Sequence, residues 1–319
     1  MPCFKPLKAV SGSVTLKSGK SKLFFVKPHP ITNKLPPDHI SIPCGQCRGC
    51  RLDRSKSWAV RCMHEAQLYE PTFNEPDLPG SSFVTLTYDE KHLPSDQSLN
   101  KKHLQDFLKS LRHQLYPNKI RFYACGEYGD DKNTFRPHYH LLIFGHSFPD
   151  RTFWKKTHAE STIYRSALLE KCWTRGYSSV GDCTMASAGY VARYILKKQN
   201  GDQSHDHYTI IKPDGTMAEV LPEYTVMSRR PGIAKAWYEK YKSDVFPDDF
   251  IVIDGKKYRT PNYYSNLLEK ENPLLYSEIK ERRVAAALDH AENNTPARLQ
   301  TRAIVQESKV KQLKRQFTC

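Results

Sequence analysis

In RPHYHLLIFG, residues 136–145, two histidines stand either side of a tyrosine at the head of an apolar run. Side chains alternate along a strand, so His138, His140 and Leu142 point one way while Tyr139, Leu141 and Ile143 point the other. Two imidazoles side by side on a rigid strand are a natural way to put two nitrogens on one metal ion. By itself, an HxH pair also fits ordinary histidines at a strand end. Glu127 closes the preceding apolar run in CGEYG, and a hairpin would bring this carboxylate to the same end as His138, as a third ligand. Two imidazoles and one oxygen leave positions open on the ion for water or a phosphate oxygen. The plainer role for Glu127 is a solvated charge or a partner for Arg136.

Tyr190 and Tyr194 in GYVARYILKK are four residues apart, hence on one helical face, with Lys197 and Lys198 in the following turn. Such a pair also reads as an aromatic stripe on a core helix. A phenol is a weak nucleophile at neutral pH and needs an electrophile polarised by metal and by cations such as Arg193 or Lys197. Attack on a phosphodiester would form a phosphotyrosine ester and free a hydroxyl, which can later reseal the broken bond without ATP.

The elements that must position these groups are legible as periodicity. FVTLTY (83–88), IRFYACGEYG (120–129) and HYHLLIF (138–144) read as strands, the last two as a hairpin. Leu104, Phe107, Leu108, Leu111 and Leu115 form one helical stripe ending before Pro117. Residues 161–173 read as a helix, 177–184 as a weaker strand and 187–199 as a further helix. The order β-α-β-β-α-β is that of an α+β, ferredoxin-like or RRM-like antiparallel sheet with two helices on one face and the other face open. The chain divides into an N-terminal arm with a cysteine-rich segment and helix (1–80), a core (81–200), an SRRPG segment with a hairpin around Asp254 and Gly255 (201–275), and a basic helical or frayed tail (276–319).

Lys and Arg number 49 against 34 Asp and Glu, a net +15, and 18 Tyr with 14 Phe join cations to stacking rings. That combination suits nucleic acid, single strands especially. No window approaches the roughly 18–20 apolar residues of a membrane helix. MPCFKPLKAV lacks the apolar core of a secretory signal, so a soluble cytoplasmic protein without a membrane partner is expected. Nine cysteines, an odd number, argue for reduced thiols. Cys44, Cys47 and Cys50 form CxxCxxC, with Cys62 or His64 as a fourth ligand, a pattern for structural Zn²⁺ or an iron–sulfur cluster, though unligated thiols also fit. Arg229 and Arg230 precede Pro231, which would open a helix whose amides hold a DNA phosphate; a solvated basic turn fits as well.

FVTLTY, CGEYG, RPHYHLLIFG and GYVARYILKK together resemble the HUH endonucleases, the initiators and relaxases that nick single-stranded DNA, and the paired tyrosines resemble their two-tyrosine branch. PCGQCRGCRLDRSKSWAVRCMHEAQLY and MSRRPGIAKAWYEKY resemble the replication initiators of gokushoviruses, single-stranded-DNA phages of the microvirus group, over residues 43–268. The resemblance implies an HUH endonuclease fold in which His138 and His140 bind Mg²⁺ or Mn²⁺ and Tyr190 and Tyr194 are nucleophiles. It further implies nicking of a single-stranded or supercoiled phage origin in rolling-circle replication and release of unit-length circles in the bacterial host cytoplasm. Tyr139 takes the middle place of the HUH motif, and Arg193 stands where related initiators have lysine. A guanidinium keeps the charge but is a poor proton donor. Arg136, Lys198, Arg229 and Arg230 are candidate DNA contacts, and host helicase and polymerase are the implied partners, since no GxxxxGK[ST] loop occurs.

Two other readings share the composition: a non-enzymatic zinc-containing nucleic-acid binder using an open sheet face, and a hydrolase whose HYH zinc activates water. The tyrosine pair separates them from strand transfer.

Overall fold

The computed structural model describes residues 3–15, 21–129, 136–157, 160–193, 204–212 and 215–311. In chain order the elements are β1 (Leu7–Thr15), β2 (Ser21–Phe25), β3 (Ile40–Ile42), α1 (Arg48–Gln67), β4 (Ser81–Tyr88), α2 (Lys101–Leu115), β5 (Arg121–Tyr128), β6 (Pro137–Phe144), β7 (Thr152–Lys156) and β8 (Thr162–Arg165). There follow α3 (Ala167–Cys172), β9 (Gly176–Asp182), α4 (Met185–Arg193), α5 (Ser204–Tyr208), β10 (Thr209–Ile211), β11 (Met217–Glu219) and β12 (Tyr224–Met227). The chain continues through α6 (Lys235–Tyr241), β13 (Phe250–Ile253), β14 (Lys256–Arg259), α7 (Asn262–Glu271), α8 (Pro273–Leu288) and α9 (Pro296–Lys311). Two compact units emerge, one drawn from Met1–Arg54 and Lys280–Leu313, the other from Ser55–Ile279. Among the described residues no helix is long and apolar enough to cross a membrane.

The larger unit is α+β and built on a seven-stranded antiparallel sheet of order β12-β5-β6-β4-β9-β8-β7. Alternation along its strands splits the apolar residues between two layers. Val84, Leu86, Ala124, Tyr139, Leu141 and Ile143 pack with Leu104, Phe107, Leu108 and Leu111 of α2 and Leu169 of α3. Phe83, Tyr123, Cys125, Leu142 and Phe144 pack on the other side with Ala59, Val60 and Cys62 of α1 and Ala188, Tyr190 and Val191 of α4. The second face is therefore covered rather than open, because α1 and α4 both present small apolar residues to it. Asn100 starts α2 by accepting the amides of Lys102 and His103, and Tyr139 secures that cap: its hydroxyl accepts from the Asn100 amide and donates to the Asn100 carbonyl, each at 2.9 Å.

Three further sequence expectations change. Residues 161–173 are half strand, since the β-branched and aromatic run TIYR pairs with β7 and β9, and the helix begins only after Ser166, whose hydroxyl caps the Leu169 amide at 3.1 Å. Residues 1–43 are not simply an irregular arm: β1 pairs with β2 and β3 in a sheet of order β2-β1-β3. Pro231 opens a turn rather than a helix. Arg61 donates to the Ile233 carbonyl at 2.9 Å, Arg121 donates to the Pro231 carbonyl at 2.8 Å and Glu65 accepts the Ala234 amide, so α1 and β5 side chains occupy the turn's backbone groups and α6 starts at Lys235. The hairpin around Asp254 and Gly255 forms as expected, with Ile253 opposite Lys256.

Gly176 begins β9 at φ +144, where an added Cβ would stand 2.2 Å from the Asp89 amide nitrogen and 2.5 Å from the Thr87 carbonyl oxygen. Gly255, at φ +69, has nothing within 4 Å of such an atom. Gly176→Ala is predicted to cost about 3 kcal/mol in denaturant unfolding and Gly255→Ala about 1 kcal/mol. Equal losses would mean the backbone approach at Gly176 is not a constraint.

Candidate metal centre and its surroundings

The β5–β6 register sets Glu127 opposite His138 and Cys125 opposite His140, and on the other side β4 sets Thr85 opposite His140. Cross-strand partners share a face, so one carboxylate, two imidazoles and one hydroxyl converge. Glu127 Oε1 lies 2.8 Å from His138 Nε2 and 2.8 Å from His140 Nε2. Glu127 is 1% exposed, the His140 side chain 2% and the His138 side chain 17%, which makes His138 the side from which solvent reaches the group.

The far nitrogens orient the near ones. His138 Nδ1 stands 3.1 Å from the Arg136 carbonyl, which can only accept, so Nδ1 carries a hydrogen and Nε2 of the neutral ring turns its lone pair on Glu127. A lone pair facing an anionic oxygen is repulsive until a cation, proton or metal ion, lies between them. His140 Nδ1 is 3.0 Å from Thr85 Oγ1. Burial pushes the Glu127 carboxyl up, but with a proton on the facing nitrogens the hydrogen bonds and charge of the two histidines outweigh it and hold the group well below the usual carboxylate range. The three ligand atoms lie within 4.8 Å of one another, and neighbouring ligands at bonds of about 2.1 Å stand about 3 Å apart, so the donor set fits a divalent cation.

α4 packs against β5 and β6, and the Tyr190 ring stands edge-on to the His140 ring with centroids 5.0 Å apart and planes at 87°. It is equally perpendicular to Phe83, at 6.2 Å. Arg193 closes α4, while Tyr194, Lys197 and Lys198 lie outside the described residues. Beside Thr85 a cavity of about 250 Å³ is lined by Phe83, Thr162, Ser179, Asp182 and Thr184.

Other candidate residues are placed elsewhere. The Arg136 guanidinium donates to the Tyr88 carbonyl at 2.7 Å and pairs with Glu90, joining β6 to the end of β4 rather than reaching Glu127. Arg229 and Arg230 are exposed beyond Ser228, whose amide bonds the Phe122 carbonyl; that end of β5 is five residues, roughly 17 Å, from Glu127. Cys44, Cys47 and Cys50 do come together, but the fourth thiol is Cys3, not Cys62. Cys62 lies three turns beyond Cys50 on α1, wholly buried in the apolar layer under the sheet. His64 is no fourth ligand either: it stacks on Trp237 at 3.4 Å, bonds Tyr264 at 2.8 Å, and burial takes its pKa down to about 3. Sequence spacing alone marks neither Thr85 nor Cys3. The only signal for Thr85 is a hydroxyl on the Phe83-Thr85-Thr87 face of an apolar strand.

Residues 81–199 match the family model described as Replication-associated protein ORF2/G2P. The chain is 30% identical to Replication-associated protein VP4 of Bdellovibrio phage phiMH2K, over 87% of this chain and 80% of that protein. It is 29% identical to Replication-associated protein ORF2 of Spiroplasma virus 4, over 77% and 74%, and 30% identical to Replication-associated protein ORF4 of Chlamydia phage 1, over 72% and 54%. No solved structure matches.

Thr85→Val keeps the side-chain shape but removes the partner of His140 Nδ1. It is predicted to weaken Mn²⁺ binding at least about tenfold by calorimetric titration, with a much smaller effect on unfolding. Unchanged affinity would separate Thr85 from the site.

Proposed function

The chain belongs to the microvirus replication-associated proteins, and from that membership we propose that it is an HUH-type, two-tyrosine endonuclease and strand transferase that opens and rejoins a single-stranded phage origin. The observation that carries this reading is the Tyr190 ring, 5.0 Å from the ring of His140, whose Nε2 faces the Glu127 carboxylate. A candidate nucleophile and a candidate cation site thus belong to one cluster. The sheet order, with β6 inside between β5 and β4, is compatible with the HUH arrangement.

Glu127, His138 and His140 would hold Mg²⁺ or Mn²⁺, which supplies Lewis-acid polarisation of a phosphate oxygen when bound. The buried Glu127 carboxylate and the Nδ1 partners of the histidines, the Arg136 carbonyl and Thr85, keep the ligands aimed at one point. Phe83 and His140 wall the Tyr190 ring and restrict its swing. The Tyr190 oxygen would attack phosphorus and the bond to the 3′-oxygen would break, so that the upstream segment ends in a 3′-hydroxyl while the downstream segment stays on tyrosine through its 5′-phosphate. The phenol's proton is lost and the leaving oxygen gains one, and because one phosphate ester bond replaces another the step is reversible without ATP. Tyr194, four residues further along the sequence, would perform the second transfer that releases a unit-length circle, with Arg193 and Lys197 countering phosphate charge. The hydroxyl-lined cavity beside Thr85 suits a nucleotide flanking the cut, and Arg229 and Arg230 suit backbone phosphates further along the strand. Unwinding and synthesis in the infected cell fall to host helicase and polymerase.

With Mg²⁺ or Mn²⁺, a labelled origin oligonucleotide should become covalently attached to the chain. Tyr190→Phe should cut the yield of adduct at least about tenfold, and adding Tyr194→Phe should remove it while DNA binding persists. Adduct that survives the double substitution would overturn the assignment, and cleavage without adduct would favour a water-activating hydrolase.

A further inference from the structure

We propose that Cys3, Cys44, Cys47 and Cys50 hold one Zn²⁺ through four thiolates and that this ion supplies the smaller unit with the stability its apolar core lacks. The four Sγ atoms lie within 4.8 Å of one another, and all four residues are free thiols. Cys3 Sγ and Cys47 Sγ are 4.0 Å apart, far beyond a disulfide's roughly 2.05 Å and close to the 3.8 Å or so that tetrahedral Zn–S bonds of about 2.3 Å impose. The ligands come from two places. Cys3 precedes β1, while the Cys44–Cys47 turn, bent at Gly45 with φ +73, leads into Cys50 in the first turn of α1.

The backbone is arranged for sulfur anions. The Cys44 amide donates to Cys3 Sγ at 3.3 Å, the Cys47 amide to Cys44 Sγ at 3.2 Å and the Phe4 amide to Cys47 Sγ at 3.4 Å. Amide donors favour thiolate over thiol. The Arg54 guanidinium lies against the Gly45 turn, where it offsets part of the double negative charge of a tetrathiolate zinc. Binding breaks the S–H bonds still present, sends those protons to solvent and changes no oxidation state.

A second observation points the same way. Among the described residues of this unit, the buried apolar side chains are Cys3, Ala9 and Leu299, whereas Leu7, Leu23, Phe24, Phe25 and Ile40 are exposed. So little burial does not offset the entropy of ordering a three-stranded sheet, and small units of this kind rely on metals or disulfides. Four thiolates complete a tetrahedron, so the ion has no open position for substrate and its role is structural.

The test is made on the full chain with Zn²⁺ exchanged for Co²⁺. Tetrahedral d–d bands with sulfur-to-cobalt charge transfer are expected, a signature that Glu127, His138 and His140 cannot give because they offer no sulfur. Cys3→Ser should lower the charge-transfer intensity by about a quarter, one thiolate in four, and Cys62→Ala should leave it unchanged. On the wild-type chain, iodoacetamide should modify Cys3, Cys44, Cys47 and Cys50 together after a chelator and spare all four before it, so the outcome does not depend on a variant folding. A band kept by Cys3→Ser but lost in Cys62→Ala would overturn the proposal. So would Cys3 alkylated in the metal-loaded chain, or iron with acid-labile sulfide in place of zinc.

Discussion

The oxygen Oε1 of Glu127, almost sealed from water, faces two imidazole nitrogens at 2.8 Å, and much of the larger unit is organised around that juxtaposition. An ionised carboxylate taken out of water alone costs several kcal/mol, so the group is tenable only while positive charge stands against it. The histidines supply part of this when protonated, and a divalent cation supplies it without requiring both rings to be charged. Burial and charge thus make the place selective for cations before any substrate is considered.

Keeping these three candidate ligands together falls to the sheet. β6 is an inner strand, hydrogen-bonded to β5 and β4 on its two sides, and its alternate residues do two jobs. Tyr139, Leu141 and Ile143 seat it on the α2 layer, while His138, His140, Leu142 and Phe144 face α1 and α4. A slip of one residue would drive both imidazoles into the apolar layer, so the packing of one face pins the chemistry of the other. Tyr139 adds to this by bonding both backbone groups of Asn100, which ties the strand to the start of α2.

The two candidate metal groups contrast in design. Glu127, His138 and His140 form an open set within a thick apolar surround, three ligands beside a tyrosine ring and a cavity. The four cysteines form a closed set in a unit with hardly any apolar interior, where ten Lys and Arg accompany only Asp38 and Asp53 in the first 54 residues. A rigid apolar frame suits an ion meant to meet substrate. A cysteine cage suits a basic surface that has no frame of its own.

Local pattern was enough wherever the determining contacts are local. The strands around 83–88, 120–129 and 138–144, the Leu104–Phe107–Leu108–Leu111 stripe, and the facing of Glu127 and His138 across a hairpin all follow from periods of two and 3.6 and from short connections. Residues separated by long stretches of chain were not legible. The TIYR segment became a strand because β7 and β9 offered it partners, and the SRRPG backbone stayed a turn because Arg61, Glu65 and Arg121 bond to it. Cys3 joined Cys44 across 41 residues while Cys62, closer to Cys50 in sequence, lies further along the same helix and outside the group. The sequence by itself thus determined which residue types could do chemistry and on which face of each strand or helix they stand, since backbone geometry dictates alternation and pitch. Only the tertiary structure decided which of them meet, because a meeting depends on the competition among distant surfaces for the same apolar and hydrogen-bonding partners.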